Sequence, residues 1–497
     1  MKKLDWKRFL PTVLIILVVL LMVSINLTGV QSIVDSVYTF MSDRFGWFFI
    51  LANIAAFLFS AWIIVSPKGK IRLGGENAKP EFGNLSWVAM IFTTSCSAGL
   101  IVFGFIETIY YASVPPFQIE PFTTQAYEYA EMYSHYHWGI NAWTLYVPAS
   151  VAVGYMLYNK GKSSISIGDA CEPVLGKRGK GIFGVVIDIL GTFGAVVAPV
   201  TSMGLGMPLL TLLFQNIFNI PDQYVTTLHA MILLIWVLIF GTSTYLGLSK
   251  GIKNLSNINI ILAFSFMIFV GLSVGILSLA RAEINTLGLY FQNFIRMITY
   301  TDPYGDGIFV GKWTVWYWAW LIVYMPLMGV FNARISRGRT LREMAVGQMV
   351  FCSLGCWVAM STLGNYAIKL QQNGADIAAV LNNEGQPEAI LYILQNMPAP
   401  RLMMIIVAVL TFVFMATTVD SSSFVAAETT TIHTSIEEQA PRWIRILWAS
   451  ISCLITFVLL QIGGFNAVQV LAILVGLPLA AVMFIVIAST VKMIKEK

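Results

Sequence analysis

The chain has 497 residues, of which 57% are hydrophobic and only 11% charged, and its formal net charge is +5. A soluble domain carries about 25% charged residues, so this composition excludes an ordinary soluble protein and points to a bilayer. The positive balance gives no reason to expect a nucleic-acid partner, because its distribution serves another purpose.

A hydrocarbon core needs about 20 mostly apolar residues per helix. The N-terminus, MKKLDWKRFLPTVLIILVVLLMVSINLTGV, sets a basic start before such a run. A signal peptide would have a shorter run and a small-residue cleavage site, so a retained first span is predicted over 10–29. Eleven more follow near 46–66, 86–111, 138–158, 182–216, 224–246, 257–280, 313–333, 344–368, 401–432, 443–462 and 468–491. The fifth and tenth are overlong, which predicts tilt, a break or extension past the bilayer. The segment INTLGLYFQNFIRMI, within 281–312, has the pattern of a helix lying in the interface.

Lys and Arg in short loops set orientation. With the N-terminus in the cytoplasm, 24 of the 30 basic residues fall inside, among them Lys2, Lys3, Lys250, Arg334, Arg337, Arg339 and Lys497. Only Arg44, Arg281, Arg296, Lys312, Lys369 and Arg401 fall outside. The chain therefore reads as an all-α polytopic membrane protein with twelve transmembrane helices and both termini cytoplasmic. Cys96, Cys171, Cys352, Cys356 and Cys453 form no CxxC pair and read as small hydrophobes in helices.

The eighth span, WTVWYWAWLIVYMPLMGVFNARISRGR from 313, is the most unusual. At 100° per residue, Trp313, Trp316, Tyr317, Trp320 and Tyr324 share an arc of about 100°, while Trp318 points to the far side. Interfacial belts explain Trp313 and Trp316, but Trp320 and Tyr324 lie deeper. A neutral aromatic face at depth suits a quaternary ammonium, with cation–π attraction of about 2 kcal/mol or more when desolvated. The remaining walls would come from GFIETIYYASVPPF, with Tyr110 and Tyr111, or from HYHWGINAWTLY, with Trp138 and Trp143. In a regular helix these two tryptophans sit about 140° apart, so only one of them serves a given face.

These residues resemble the betaine/carnitine/choline transporters. WTVWYWAWLIVYMPLMGVFNARISRGRTLRE carries the resemblance, with HYHWGINAWTLY, KGIKNLSNINIILAF and FVFMATTVDSSS in support, and it covers essentially the whole chain. YYASVPPFQIEPF looks closest to the carnitine/γ-butyrobetaine antiporter branch. The resemblance implies a leucine-transporter-like core of two inverted five-helix repeats: two peripheral helices over 1–85, a first repeat over 86–281, an interfacial helix over 282–312 and a second repeat over 313–492. It implies a homotrimer in a bacterial or archaeal cytoplasmic membrane. By similarity Tyr110, Trp138, Trp320 and Tyr324 align with the central aromatic box, and Trp313 with an outer aromatic.

Four positions modify that expectation. Leu321 stands where the family commonly has a second box tryptophan, and Met328 where the antiporter branch also has methionine. Asn259 stands where sodium-independent antiporters carry an arginine in place of sodium. Thr417 and Thr418 match the paired hydroxyls of sodium-coupled members, which also use main-chain carbonyls of the third helix, here around Cys96 in TTSCSAG. Hydroxyl and carbonyl oxygens suit a hard cation, although threonine in a membrane helix also bonds its own preceding turn. Asp420 is a candidate for coupling beside them or a structural hub, and Glu107 and Asp188 are further carboxylates in apolar runs. The expected function is secondary transport of a trimethylammonium solute by alternating access, coupled to sodium, with precursor/product exchange and a channel or osmosensor as rivals. His135 and His137 have no third ligand at convincing spacing, and no nucleophile motif or phosphate loop stands out, so neither catalysis nor an organic cofactor is expected.

Overall fold

A computed structural model describes residues 4–96, 98–163, 165–246, 251–435, 438–462 and 464–495. Ser97, Lys2, Lys3, Lys250 and Lys497, used in the reading above, lie outside these. Among the described residues there are helices and two isolated bridges but no strand, as the bilayer requires when every backbone polar group must be met within the chain.

The long helices are α1 (Trp6–Ile25), α2 (Leu27–Val65), α3 (Asn84–Cys96), α4 (Gly99–Ser113), α5 (Thr124–His137), α6 (Val147–Tyr158), α7 (Ile182–Phe218) and α8 (Val225–Leu246). They continue as α9 (Lys253–Val274), α10 (Ile276–Thr299), α11 (Val310–Ile335), α12 (Leu341–Gln372), α13 (Pro400–Thr429), α14 (Arg442–Ile462) and α15 (Gly464–Lys495). Ten described helices are long and apolar enough to span alone, and α3 with α4 forms an eleventh span bent by 60°. The expected fourth span is also broken. α5 stops at Trp138, a short helical stretch follows, and α6 resumes. The overlong fifth and tenth spans are continuous helices of 37 and 30 residues. The expected second span is the end of a 39-residue helix, and the interfacial helix begins earlier than expected, at Ile276.

The packing carries an exchange symmetry. α12 lies on α4 as α11 lies on α6. α9 lies on α12 as α15 lies on α6, and α9 on α3 as α15 on α11. α7 pairs with α13, and α8 with α14. Swapping the third to seventh spans with the eighth to twelfth returns the same set of pairs, as inverted repeats do. α11 is the centre, with every residue from Thr314 to Ile335 buried, whereas only 22% of the most apolar stretch of α1 is buried. Its backbone approaches α6 so closely that a Cβ on Gly329 would meet the Ala149 methyl at 2.6 Å.

Candidate functional site

Two breaks and one proline prepare the site. α3 ends at Cys96 and α4 starts at Gly99, which redirects the chain midway through the third span. α4 then presents Phe103, Glu107 and Tyr111 at helical spacing on one face. α5 ends at Trp138, and Gly139 is extended, with φ −104° and ψ −162°. A Cβ on Gly139 would lie 2.2 Å from the His135 carbonyl oxygen, so the close turn needs glycine. In α7, Pro199 has no N–H to give the Ala195 carbonyl. The Ser422 hydroxyl of α13 donates to that carbonyl instead.

The aromatic face of α11 forms as its spacing predicts. Trp316 and Trp320 stack with centroids 5.1 Å apart and planes at 26°, and Trp320 meets Tyr324 edge-on at 5.9 Å. Trp138 lies 6.3 Å from Trp320 and 5.8 Å from Tyr317. Phe103 touches Trp138, Trp316, Tyr317 and Trp320. Trp318 packs on the opposite face against Tyr136 and His137. These rings are in mutual contact, so a cation reaching their faces requires Trp316 and Trp320 to part.

The polar edges of Trp320, Tyr324, Trp138 and Tyr317 are held. Trp320 Nε1 donates to Thr201 Oγ1 at 3.0 Å, and the Tyr324 hydroxyl donates to the Ala198 carbonyl at 2.6 Å and is also bonded to Ser202. Trp138 Nε1 donates to Glu107 Oε2 at 2.8 Å, and the Tyr317 hydroxyl donates to the same oxygen. With their edges tethered, these rings would offer a solute their faces and not their N–H or O–H groups. Sequence reasoning missed Thr201, Ser202, Phe103 and this use of Glu107. The proline inside α7 was the available signal, because it marks a place where backbone groups look for other partners.

Two expectations need correction. Tyr110 does not join Trp138 and Trp320. One turn beyond Glu107 and half-buried, it packs on Trp313 at 5.2 Å, where Tyr111 also meets Trp313 at 4.9 Å. Gln386 Nε2 donates to its hydroxyl at 3.4 Å. The separation of Trp138 from Trp143 also fails, because the helix breaks between them. Their centroids are 6.2 Å apart, and Trp143 Nε1 donates to the Trp138 carbonyl at 3.0 Å. Leu321 is buried and offers no second indole. Met328 Sδ accepts from Ser95 Oγ at 3.9 Å, tying α11 to the last turn of α3.

The expected ion ligands are buried around the junction of α3, α9 and α13, three mutually packed helices. Thr417 and Thr418 donate back to the Phe414 carbonyl at 2.8 and 3.0 Å. The link between helices is made one turn on, where Thr94 Oγ1 and Ser421 Oγ lie 2.9 Å apart. Asn259 is fully buried with no hydrogen-bond partner on either amide atom among the described residues, and Ser256, one turn before it, accepts from Thr93 at 2.9 Å. Asp420 is paired with Arg445 at 3.6 Å and accepts from Ser243, a tie between helices. Asp188 binds Arg8 at 2.8 Å, Ser166 and the Gly168 N–H, which fastens α1 to α7. Both ring nitrogens of His135 and His137 are used within the protein.

A bundle of paired, exchange-symmetric helices that gathers neutral aromatic faces midway along its central helix is the architecture of a membrane transporter for a small solute. The chain belongs to the betaine/carnitine/choline transporter family: the family described as "BCCT, betaine/carnitine/choline family transporter" matches residues 8–497. It is 34% identical over 465 residues, 93% of this chain and 89% of the relative, to the glycine betaine transporter OpuD of Bacillus subtilis (strain 168). Among solved structures it is similar to a substrate-bound outward-open Na+-coupled sialic acid symporter, with a TM-score of 0.47 and 11% identity over 88% of this chain and 84% of that one. Membership makes this protein a transporter and not an enzyme.

Proposed function

We propose that this protein carries a trimethylammonium solute of the glycine betaine type across a bacterial or archaeal cytoplasmic membrane by alternating access, as a sodium symporter. The observation that carries the reading is the ring cluster of Trp138, Trp316, Trp320 and Tyr324, in which the polar edges of Trp138, Trp320 and Tyr324 are tethered and Trp316 stacks on Trp320. Such faces attract a cation that cannot donate hydrogen bonds and cost nothing in buried charge. The name of the OpuD relative supports glycine betaine as the first solute to test. The oxygen-rich junction of Thr94, Thr417, Thr418 and Ser421 beside the end of α3 at Cys96 supports sodium as the coupling ion. Both termini are cytoplasmic in this reading, supported by the basic residues of the inner loops, and the working unit is a homotrimer.

The test is uptake of labelled glycine betaine, carnitine and γ-butyrobetaine into proteoliposomes, with and without an inward sodium gradient. Sodium-driven accumulation of one of them is expected. Uptake that ignores sodium but needs unlabelled solute inside would replace symport by exchange. Passive, non-saturable flux without counterflow would make the protein a channel.

A further inference from the structure

A carboxylate sits inside the aromatic cluster. Glu107 is fully buried. Its Oε2 accepts two bonds, from Trp138 Nε1 at 2.8 Å and from the Tyr317 hydroxyl. Its Oε1 is buried with no hydrogen-bond partner among the described residues. With Oε2 occupied as an acceptor, a proton on this group resides on Oε1. The rings that grip Oε2 are the rings that face Trp320. A cation lying against them is on the order of 6 Å from the carboxylate.

We propose that Glu107 is the anionic wall of the solute site and that a proton and the solute's quaternary ammonium compete for it. This rests on the reading of the ring cluster as the solute site. The ionised carboxylate attracts the ammonium, and protonation at Oε1 removes that attraction, so affinity falls as pH falls. Two unit charges about 6 Å apart at an effective dielectric near 20 change affinity on the order of tenfold to a hundredfold.

The other titratable groups facing Glu107 are few. Tyr111 is on its own helix, with its hydroxyl 2.7 Å from His137 Nδ1 of α5 and close enough to the Glu107 carboxyl to interact with it. Tyr317 comes from α11, and Cys356 from α12, with Cys96 behind it at 3.4 Å. The helix Gln386–Gln395 carries Glu388 but meets this part of α4 through Gln386, at Tyr110. The segment Ile377–Asn383 and the Ala195–Ser202 stretch of α7 bring no titratable side chain.

The experiment is glycine betaine binding to the purified full chain, read by tryptophan fluorescence from about pH 8 to about pH 5, where the probe's own carboxyl stays ionised. Wild-type affinity should fall at least about tenfold on acidification. Glu107→Gln keeps an acceptor for Trp138 and Tyr317 and should show the weak, acidic-side affinity at every pH. If that variant does not fold, glycine betaine added to weakly buffered wild-type protein should release protons. A flat wild-type profile, or a slope that survives in Glu107→Gln, overturns the role of Glu107 alone. No binding at any pH overturns the solute reading and this proposal with it.

Discussion

Midway along α11 the side chains are Trp316, Tyr317, Trp320 and Tyr324, themselves neutral, and the contacts are ring faces and hydrogen bonds, one of them to Glu107. In its last turn the same helix places a guanidinium in protein. Arg334 Nη2 donates to Glu428 Oε2 at 2.8 Å and to the Glu438 carbonyl at 2.9 Å. Glu428, itself buried, also accepts the Ala440 N–H at 2.7 Å and lies 3.7 Å from His433 Nε2. One half of the helix can receive a charge because its own groups are neutral. The other half has its charges matched, and so serves to hold helix ends together. The difference separates residues expected to govern affinity from residues expected to govern stability.

The largest test of that separation is Glu428→Ala. Removing one partner of a buried, hydrogen-bonded pair costs about 3–5 kcal/mol, because Arg334 loses its buried carboxylate partner Glu428. Thermal unfolding in detergent should fall steeply while any remaining folded protein binds solute with unchanged affinity. A loss of affinity without loss of stability would erase the contrast. Next comes Trp320→Ala, expected to weaken binding by about 2 kcal/mol or more, or about thirtyfold. Trp318→Ala is its control. Trp318 is equally buried but faces Tyr136 and His137, so its loss should leave affinity alone. Equal effects from both tryptophans would mean that the cluster is packing and not a solute site. Tyr324→Phe removes the hydroxyl and its bonds to the Ala198 carbonyl and to Ser202 and should cost about 1 kcal/mol, read as a small loss in both affinity and melting temperature.

The sequence made one side of this contrast readable and hid the other. Trp316, Tyr317, Trp320 and Tyr324 come from one continuous helix, so a 3.6-residue period places them on one face and Trp318 on the other. Trp138 and Trp143 straddle a break that the period cannot see, and Tyr110 falls at the end of a short helix that begins only at Gly99. The tethers were out of reach for a different reason. Thr201 and Ser202 meet Trp320 and Tyr324 across 119 and 122 residues of chain, and Arg334 meets Glu428 across 94. Such pairings arise from how helices pack, and no local pattern encodes them. Ten of the twelve expected spans were legible as single helices because a bilayer core needs about 20 apolar residues, whereas the breaks in the third and fourth were not.

The smallest expected effect lies outside the bundle core, where water weakens what burial strengthens. In the loop between α6 and α7, Glu172 accepts from Lys162 and pairs with Lys180 at 3.0 Å. The hydrogen bond from Lys162 holds its carboxyl below the usual range, with Lys180 adding to it. A carboxyl lowered on folding adds stability above its unfolded value, about 4.3, and that stability is lost as pH falls through the lower, folded value. The pair is solvent-exposed, with Lys180 69% accessible, so Glu172→Gln should cost less than about 1 kcal/mol at neutral pH. The same loss should shrink in high salt, where exposed charges are screened. The Glu428→Ala deficit should persist there, because its partners are buried. A Glu172→Gln deficit as large and as salt-resistant as that of Glu428→Ala would show that the loop is clamped like the end of α11, and the division between exposed and buried charge would not hold for this chain.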